Sequence, residues 1–163
     1  MNIDELIKEA ILEKNGAAKE AYRAIKAELL LNSSAKNPKP SGKSILFKRH
    51  LNNGLVIDTP ISELELSIIR KLIKEREEQI SMYDANSRKD LADMYREQMK
   101  YLKELLPPEI SRDQIQEAVY GLYPYGFEQK EMGKVIKAIK EIYPTADGKL
   151  IAETVKETIH NEV

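Results

Sequence analysis

The sequence predicts an all-α protein: an N-terminal helical bundle with a long helical hairpin, followed by a small three-helix C-terminal domain. Three observations carry that expectation. Apolar residues recur at three- and four-residue spacing through most of the chain. Helix starts and stops punctuate those runs at regular intervals. The charged fraction of 33%, against 42% hydrophobic, suits helices that bury one apolar stripe and expose a polar face. With two Phe and no Trp the core must be mostly aliphatic, the eight Tyr lying at half-buried edges.

The elements follow in order. Asn2 with Glu5 opens a first helix carrying Ile3, Leu6, Ile7, Ala10 and Ile11, and Asn15-Gly16 stops it. A second helix, about 17–31, places Ala18, Tyr22, Ile25 and Leu29 on one stripe. The stretch 33–59 then reads as a basic loop insertion. Asn37-Pro38-Lys39-Pro40-Ser41-Gly42 cannot be regular helix. Ile45-Leu46-Phe47 and Leu55-Val56-Ile57, separated by Asn52-Asn53-Gly54, either pair as a short hairpin or remain irregular. Thr59-Pro60 opens the third helix, with proline at the first helical position, and Ile61, Leu64, Ile68 and Leu72 form its stripe. Asp84-Ala85-Asn86 breaks it. Ser87 to Asp90 reads as a capping box for a fourth helix whose face is Leu91, Met94, Tyr95, Leu102 and Leu105. These two helices form the predicted antiparallel hairpin.

Leu105-Leu106-Pro107-Pro108 marks the expected boundary between residues 1–108 and 109–163. Beyond it, Ser111 with Gln114 caps a fifth helix bearing Ile115, Val119 and Leu122. A sixth, about 128–142, carries Met132, Val135, Ile136 and Ile139 as core rather than ligand cage, with Gly133 allowing a neighbouring helix to approach. Asp147 caps a last helix carrying Leu150, Ile151, Val155 and Ile159.

Composition excludes several classes of chemistry. The chain of 163 residues has no Cys, which rules out disulfides, thiol nucleophiles and Cys-ligated metals. No run approaches the roughly 18 apolar residues of a membrane span, and Met1-Asn2-Ile3-Asp4-Glu5 lacks the basic and apolar regions of a secretory leader. A cytoplasmic location is the expectation. Gly42-Lys43-Ser44 lacks the upstream Gly of a phosphate loop. The only histidines, His50 and His160, are too far apart in sequence to suggest a metal site. Carboxylates alternate with Lys and Arg along helices, as on solvated, ion-paired faces. No catalytic residue, cofactor or metal ligand is expected.

Four segments carry a family resemblance: 23–30 (Arg-Ala-Ile-Lys-Ala-Glu-Leu-Leu); Ile73-Lys74-Glu75-Arg76 followed by 83–91; Glu97 through Pro107-Pro108; and Met132-Gly133-Lys134-Val135 followed by Ala146-Asp147-Gly148-Lys149-Leu150. In this order they resemble the YqeY-like (GatB/YqeY) family. The last pair is similar to the tail domain of the B subunit of tRNA-dependent amidotransferases. The chain departs in its longer loop at 36–57 and in having Tyr143-Pro144-Thr145 before Ala-Asp-Gly. The resemblance implies an all-α fold of two domains and a tail that touches the body of tRNA. It also implies the label of a carbon–nitrogen ligase with glutamine as amido donor, although this chain shows no catalytic motif.

Two basic clusters are candidates for contact with RNA. One is Lys36, Lys39, Lys43, Lys48 and Arg49, in a stretch with no acidic residue between Glu28 and Asp58. The other is Lys130, Lys134, Lys137, Lys140 and Lys149, of which 130, 134 and 137 recur at helical spacing. The net charge of -1 means that any such contact depends on local clusters. The expected role is a non-catalytic accessory module associated with tRNA or a tRNA-linked amidotransferase. The alternative is a helical adaptor that meets a protein partner through the hairpin of helices three and four, with no RNA role.

Overall fold

A computed structural model describes residues 1–50 and 54–160, without the side chains of His50 and His160. The expected turn residues Asn52 and Asn53 lie outside the described residues. The chain is mostly helical: α1 (Ile3–Leu12), α2 (Gly16–Ser34), α3 (Glu63–Ala85), α4 (Lys89–Glu104), α5 (Arg112–Leu122), α6 (Met132–Ile142) and α7 (Gly148–His160). It also contains a two-stranded antiparallel sheet of β1 (Ser44–His50) and β2 (Val56–Ser62). These elements gather into two compact units, Met1–Pro107 and Pro108–Val163.

In the first unit the caps are visible atom by atom. The Asn2 side chain accepts from the Glu5 N–H at 3.2 Å. Asn15 does not simply end α1: its Oδ1 accepts from the Ala18 N–H at 3.1 Å, and its Nδ2 donates to the Tyr101 hydroxyl at 2.8 Å. One side chain thus starts α2 and ties it to α4. Leu6, Ala10, Ala18, Tyr22, Ile25, Ile69, Leu72 and Leu102 bury together in an aliphatic core. Burial raises the pKa of Tyr22, with the nearby Arg49 guanidinium opposing the rise. A raised phenol pKa favours the native state below the unfolded value of 10.0, and that contribution is lost as pH climbs through the folded pKa. The thermal midpoint should therefore fall on titration above about pH 10, and Tyr22→Phe should flatten that fall.

The sheet corrects the start of the third helix. Thr59, Pro60 and Ile61 belong to β2, and the helix begins at Glu63. The deciding feature is a capping box two residues past the proline. The Ser62 hydroxyl accepts from the Glu65 N–H at 3.1 Å, and the Glu65 carboxylate accepts from the Ser62 N–H at 2.9 Å. Pro60 is tolerated in β2 because both strands of a two-stranded sheet are edges. Ser62→Ala should lower stability by about 1 kcal/mol, a shift of roughly 4–8 °C in the midpoint of a unit this size. No shift in a thermal melt would mean that the box is redundant.

The fourth helix also starts differently. Arg88 occupies its N-cap position without a side-chain capping bond to the helix backbone, while Ser87 sits at φ 57°. The N–H of Arg88 bonds the Tyr83 carbonyl at 2.8 Å and that of Ser87 bonds Asp84 at 3.3 Å. This is the pattern that closes a helix on a left-handed residue, so Ser87 ends α3 instead of capping α4. The α3–α4 seam is more polar than its apolar stripe implied: Gln98 is buried and accepts from Arg76 Nε at 3.2 Å. Arg76 lies 5.4 Å from the centre of the Tyr95 ring, which stacks on Tyr83 at 5.7 Å. Met94, expected on the buried face, is exposed.

In the second unit Ile115, Val119, Val135, Ile139, Ile151 and Val155 form the core. Ser111 and Gln114 make a reciprocal cap for α5. Leu122 is exposed. Thr154 and Thr158 are buried with their hydroxyls on the carbonyls four residues back, at 2.7 and 2.8 Å. Gly133 faces open space, with nothing within 4 Å of where a Cβ would sit, so it serves no close helix approach.

Candidate nucleic-acid interface

The second unit presents its cations on α6. Val135 and Ile139 point into the core, flanked by half-buried Met132 and Ile136. At about 100° per residue, Lys134, Lys137 and Lys140 fall on the opposite side, one per turn, and all three are exposed. Among the described residues, no carboxylate lies within ion-pair distance of any of them. Only Glu141, four residues after Lys137, shares this side of α6.

Lys130 does not extend the row as its spacing implied. It sits on a 3-10 turn, Gln129–Glu131, ahead of α6, and its Nζ is 2.8 Å from the Glu128 carboxylate. The reciprocal bond between the Glu128 N–H and the Glu131 carboxylate, 2.9 Å, tightens that turn. Lys149 is exposed in the first turn of α7. Its backbone N–H donates to Asp147 Oδ1 at 3.1 Å, which makes Asp147 the cap of that helix.

The other cluster lies in the first unit. Lys36 and Lys39 are exposed in the segment after α2. There Asn32 clamps the chain, its amide donating to the Lys39 carbonyl at 3.0 Å and accepting from the Lys39 N–H at 2.9 Å. Lys43 leads into β1. Lys48 and Arg49 are neighbours on a strand and so face opposite ways. Lys48 is exposed, whereas Arg49 is half-buried on the side of Phe47, near enough to Tyr22 to affect its ionisation. The structure therefore separates Arg49 from the other four.

Electrostatics in both units is local. The first holds 19 Lys and Arg against 17 Asp and Glu, the second 7 against 10. Many cations of the helix faces are neutralised, as in Lys26–Asp4 at 2.6 Å, Lys71–Glu28 at 3.0 Å and Arg96 with Asp84 and Asp93. The Glu28 carboxylate raises the pKa of Lys71. Among the described residues no three His, Asp or Glu side chains gather as metal ligands would, and no helix is long and apolar enough to cross a membrane.

The sequence reading missed the polar seam of Arg76, Gln98, Tyr83 and Tyr95. Gln98 is seven residues after Leu91 and four before Leu102, so it occupies a stripe position that an apolar count passes over. Gln79 on α3 has a buried Oε1 without a hydrogen-bond partner among the described residues.

Mostly helical, with a small sheet and locally grouped surface cations, the chain has the character of a small accessory module. It belongs to the YqeY-like family: the family model for Yqey-like protein matches residues 55–159, from the residue before β2 into the last turn of α7. No curated protein matches the chain. Lys36, Lys39, Lys43, Lys48 and Arg49 precede the matched region, whereas Lys130, Lys134, Lys137, Lys140 and Lys149 lie within it.

Proposed function

We propose that this chain is a cytoplasmic, non-catalytic accessory module that docks on tRNA, alone or bound to a tRNA-linked amidotransferase. The row Lys134, Lys137 and Lys140 would be its main contact, with Lys130 and Lys149 beside it. The observation that carries this reading is the row itself: three exposed lysines on successive turns, opposite the buried face of α6 and free of ion pairs among the described residues. Such a row can follow a phosphate backbone, each contact releasing condensed counterions. The resemblance of 132–135 and 146–150 to an amidotransferase tail adds weight to it.

The test is a fluorescence-anisotropy titration with bulk tRNA over a salt series. Micromolar binding is expected, with log K falling along log salt at a slope of about -3 if three phosphates are met. No binding at low salt removes the RNA reading. The adaptor alternative would then lead; it draws on Met82 and Met94, both exposed near the connection between α3 and α4. Glutamine- and ATP-dependent turnover by the isolated chain would overturn the non-catalytic reading.

A further inference from the structure

The hairpin offers one free strand edge, and its chemistry selects an occupant. The register pairs Ser44 with Ser62 and Leu46 with Pro60. One step beyond, the Glu63 N–H bonds the Lys43 carbonyl at 3.0 Å, which fixes the phase of the ladder. Ile45–Ile61, Phe47–Thr59 and Arg49–Ile57 are then the hydrogen-bonded pairs, and Ser44, Leu46 and Lys48 turn their N–H and C=O groups away from β2.

The two outer edges are not equivalent. On β2 the outward residues at the same phase include Pro60, which has no N–H, and Ser62, whose N–H is taken by Glu65. On β1, among the described residues, nothing pairs with the outward groups of Ser44, Leu46 and Lys48. Phe47 and Ile61 anchor the inner face in the core, so the edge is held in place. On the outer face Leu46 is 69% exposed. Lys36, Lys39, Lys43 and Lys48 are all exposed on β1 and the segment leading to it; Asp58 stands opposite Lys48 and Glu63 across from Lys43, which leaves lysines in excess of carboxylates.

We propose that β1 accepts a third strand from a polypeptide partner, an extended acidic segment alternating carboxylate and apolar side chains. Backbone bonds to Ser44, Leu46 and Lys48 would supply affinity and alternate side chains specificity. The apolar side chains continue the inner row of Ile45 and Phe47. The carboxylates lie on the outer face, beside Lys48. Pro60 confines the addition to β1. This reading is independent of RNA binding by α6.

The probe is a fluorescein-labelled nine-residue peptide alternating Val and Glu, followed by anisotropy and by amide exchange of the full chain. The peptide should bind and protect the amides of Leu46 and Lys48. N-methylation of its backbone at every second residue, tried in both phases, should weaken one phase at least tenfold. Leu46→Pro should do the same, since it removes an outward donor without touching the ladder to β2. Lys48→Glu should weaken the Val–Glu peptide and favour its Val–Lys counterpart. Failure of the Val–Glu peptide to bind would overturn the proposal, as would binding indifferent to both N-methylated forms or leaving the two amides unprotected. Oligouridylate that displaces the peptide and leaves those amides unprotected would assign the cations to nucleic acid and also overturn it. Should Leu46→Pro fail to fold, the N-methylated peptides and the exchange data still decide.

Discussion

Replacing Ile139 with alanine should bring the C-terminal unit close to unfolding and leave the N-terminal one intact. Ile139 is fully buried at the centre of the second core, and removing such a side chain costs about 2–5 kcal/mol through lost transfer energy and the cavity left behind. A unit the size of Pro108–Val163 has on the order of 3–8 kcal/mol in total, so the substitution consumes most of it. The two cores share no residue. Native-state amide exchange should therefore accelerate by roughly 30-fold to a few thousandfold across α5, α6 and α7, while amides near Ile25 and Ile69 keep their protection. Equal acceleration in both units would show that they unfold as one.

The helices were legible because each carries its own signal. Asn2, Ser111 and Asp147 cap as the sequence reading placed them, and the stripes of α1, α5 and α6 bury largely the residues their spacing selected. The errors occur where one residue type serves two structures. Proline suits both the first turn of a helix and an edge strand, and only the Ser62–Glu65 pair shows which applies at Pro60. Ser87 fits a helix start by composition, yet its left-handed backbone makes it the end of the preceding helix. The hairpin was open between strand and loop because its stability comes from outside itself, from Phe47 and Ile61 in the helical core. Within the candidate interface the reading joined Lys130 to Lys134 and Lys137 where the structure joins Lys140; the spacing of Lys134 and Lys137 was readable, since α6 is regular there. The capture of Lys130 by Glu128 was not, because it depends on the 3-10 turn. The opposite orientations of Lys48 and Arg49 follow from the strand and could not be read while that segment was undecided.

Reversing Lys134, Lys137 and Lys140 to glutamate should abolish tRNA binding without unfolding the second unit. All three are exposed and free of ion pairs among the described residues, so their replacement strands no partner. The helix itself loses little. Only Lys140 lies in the last turn, where a cation interacts favourably with the carbonyl end of the helix by about 0.3–1 kcal/mol, and circular dichroism should be unchanged. Removing three phosphate contacts lowers the steepness of log K against log salt by about 3. For tRNA binding of the expected slope, that leaves no salt-dependent affinity to measure. The necessary control reverses Lys8, Lys14 and Lys74, which are exposed in the other unit and change the net charge by the same amount. An intact titration for the control and a lost one for the α6 variant would place the contact on that helix. Equal losses would mean that tRNA responds to overall charge alone, and the row on α6 would then be a solvated face of an ordinary amphipathic helix.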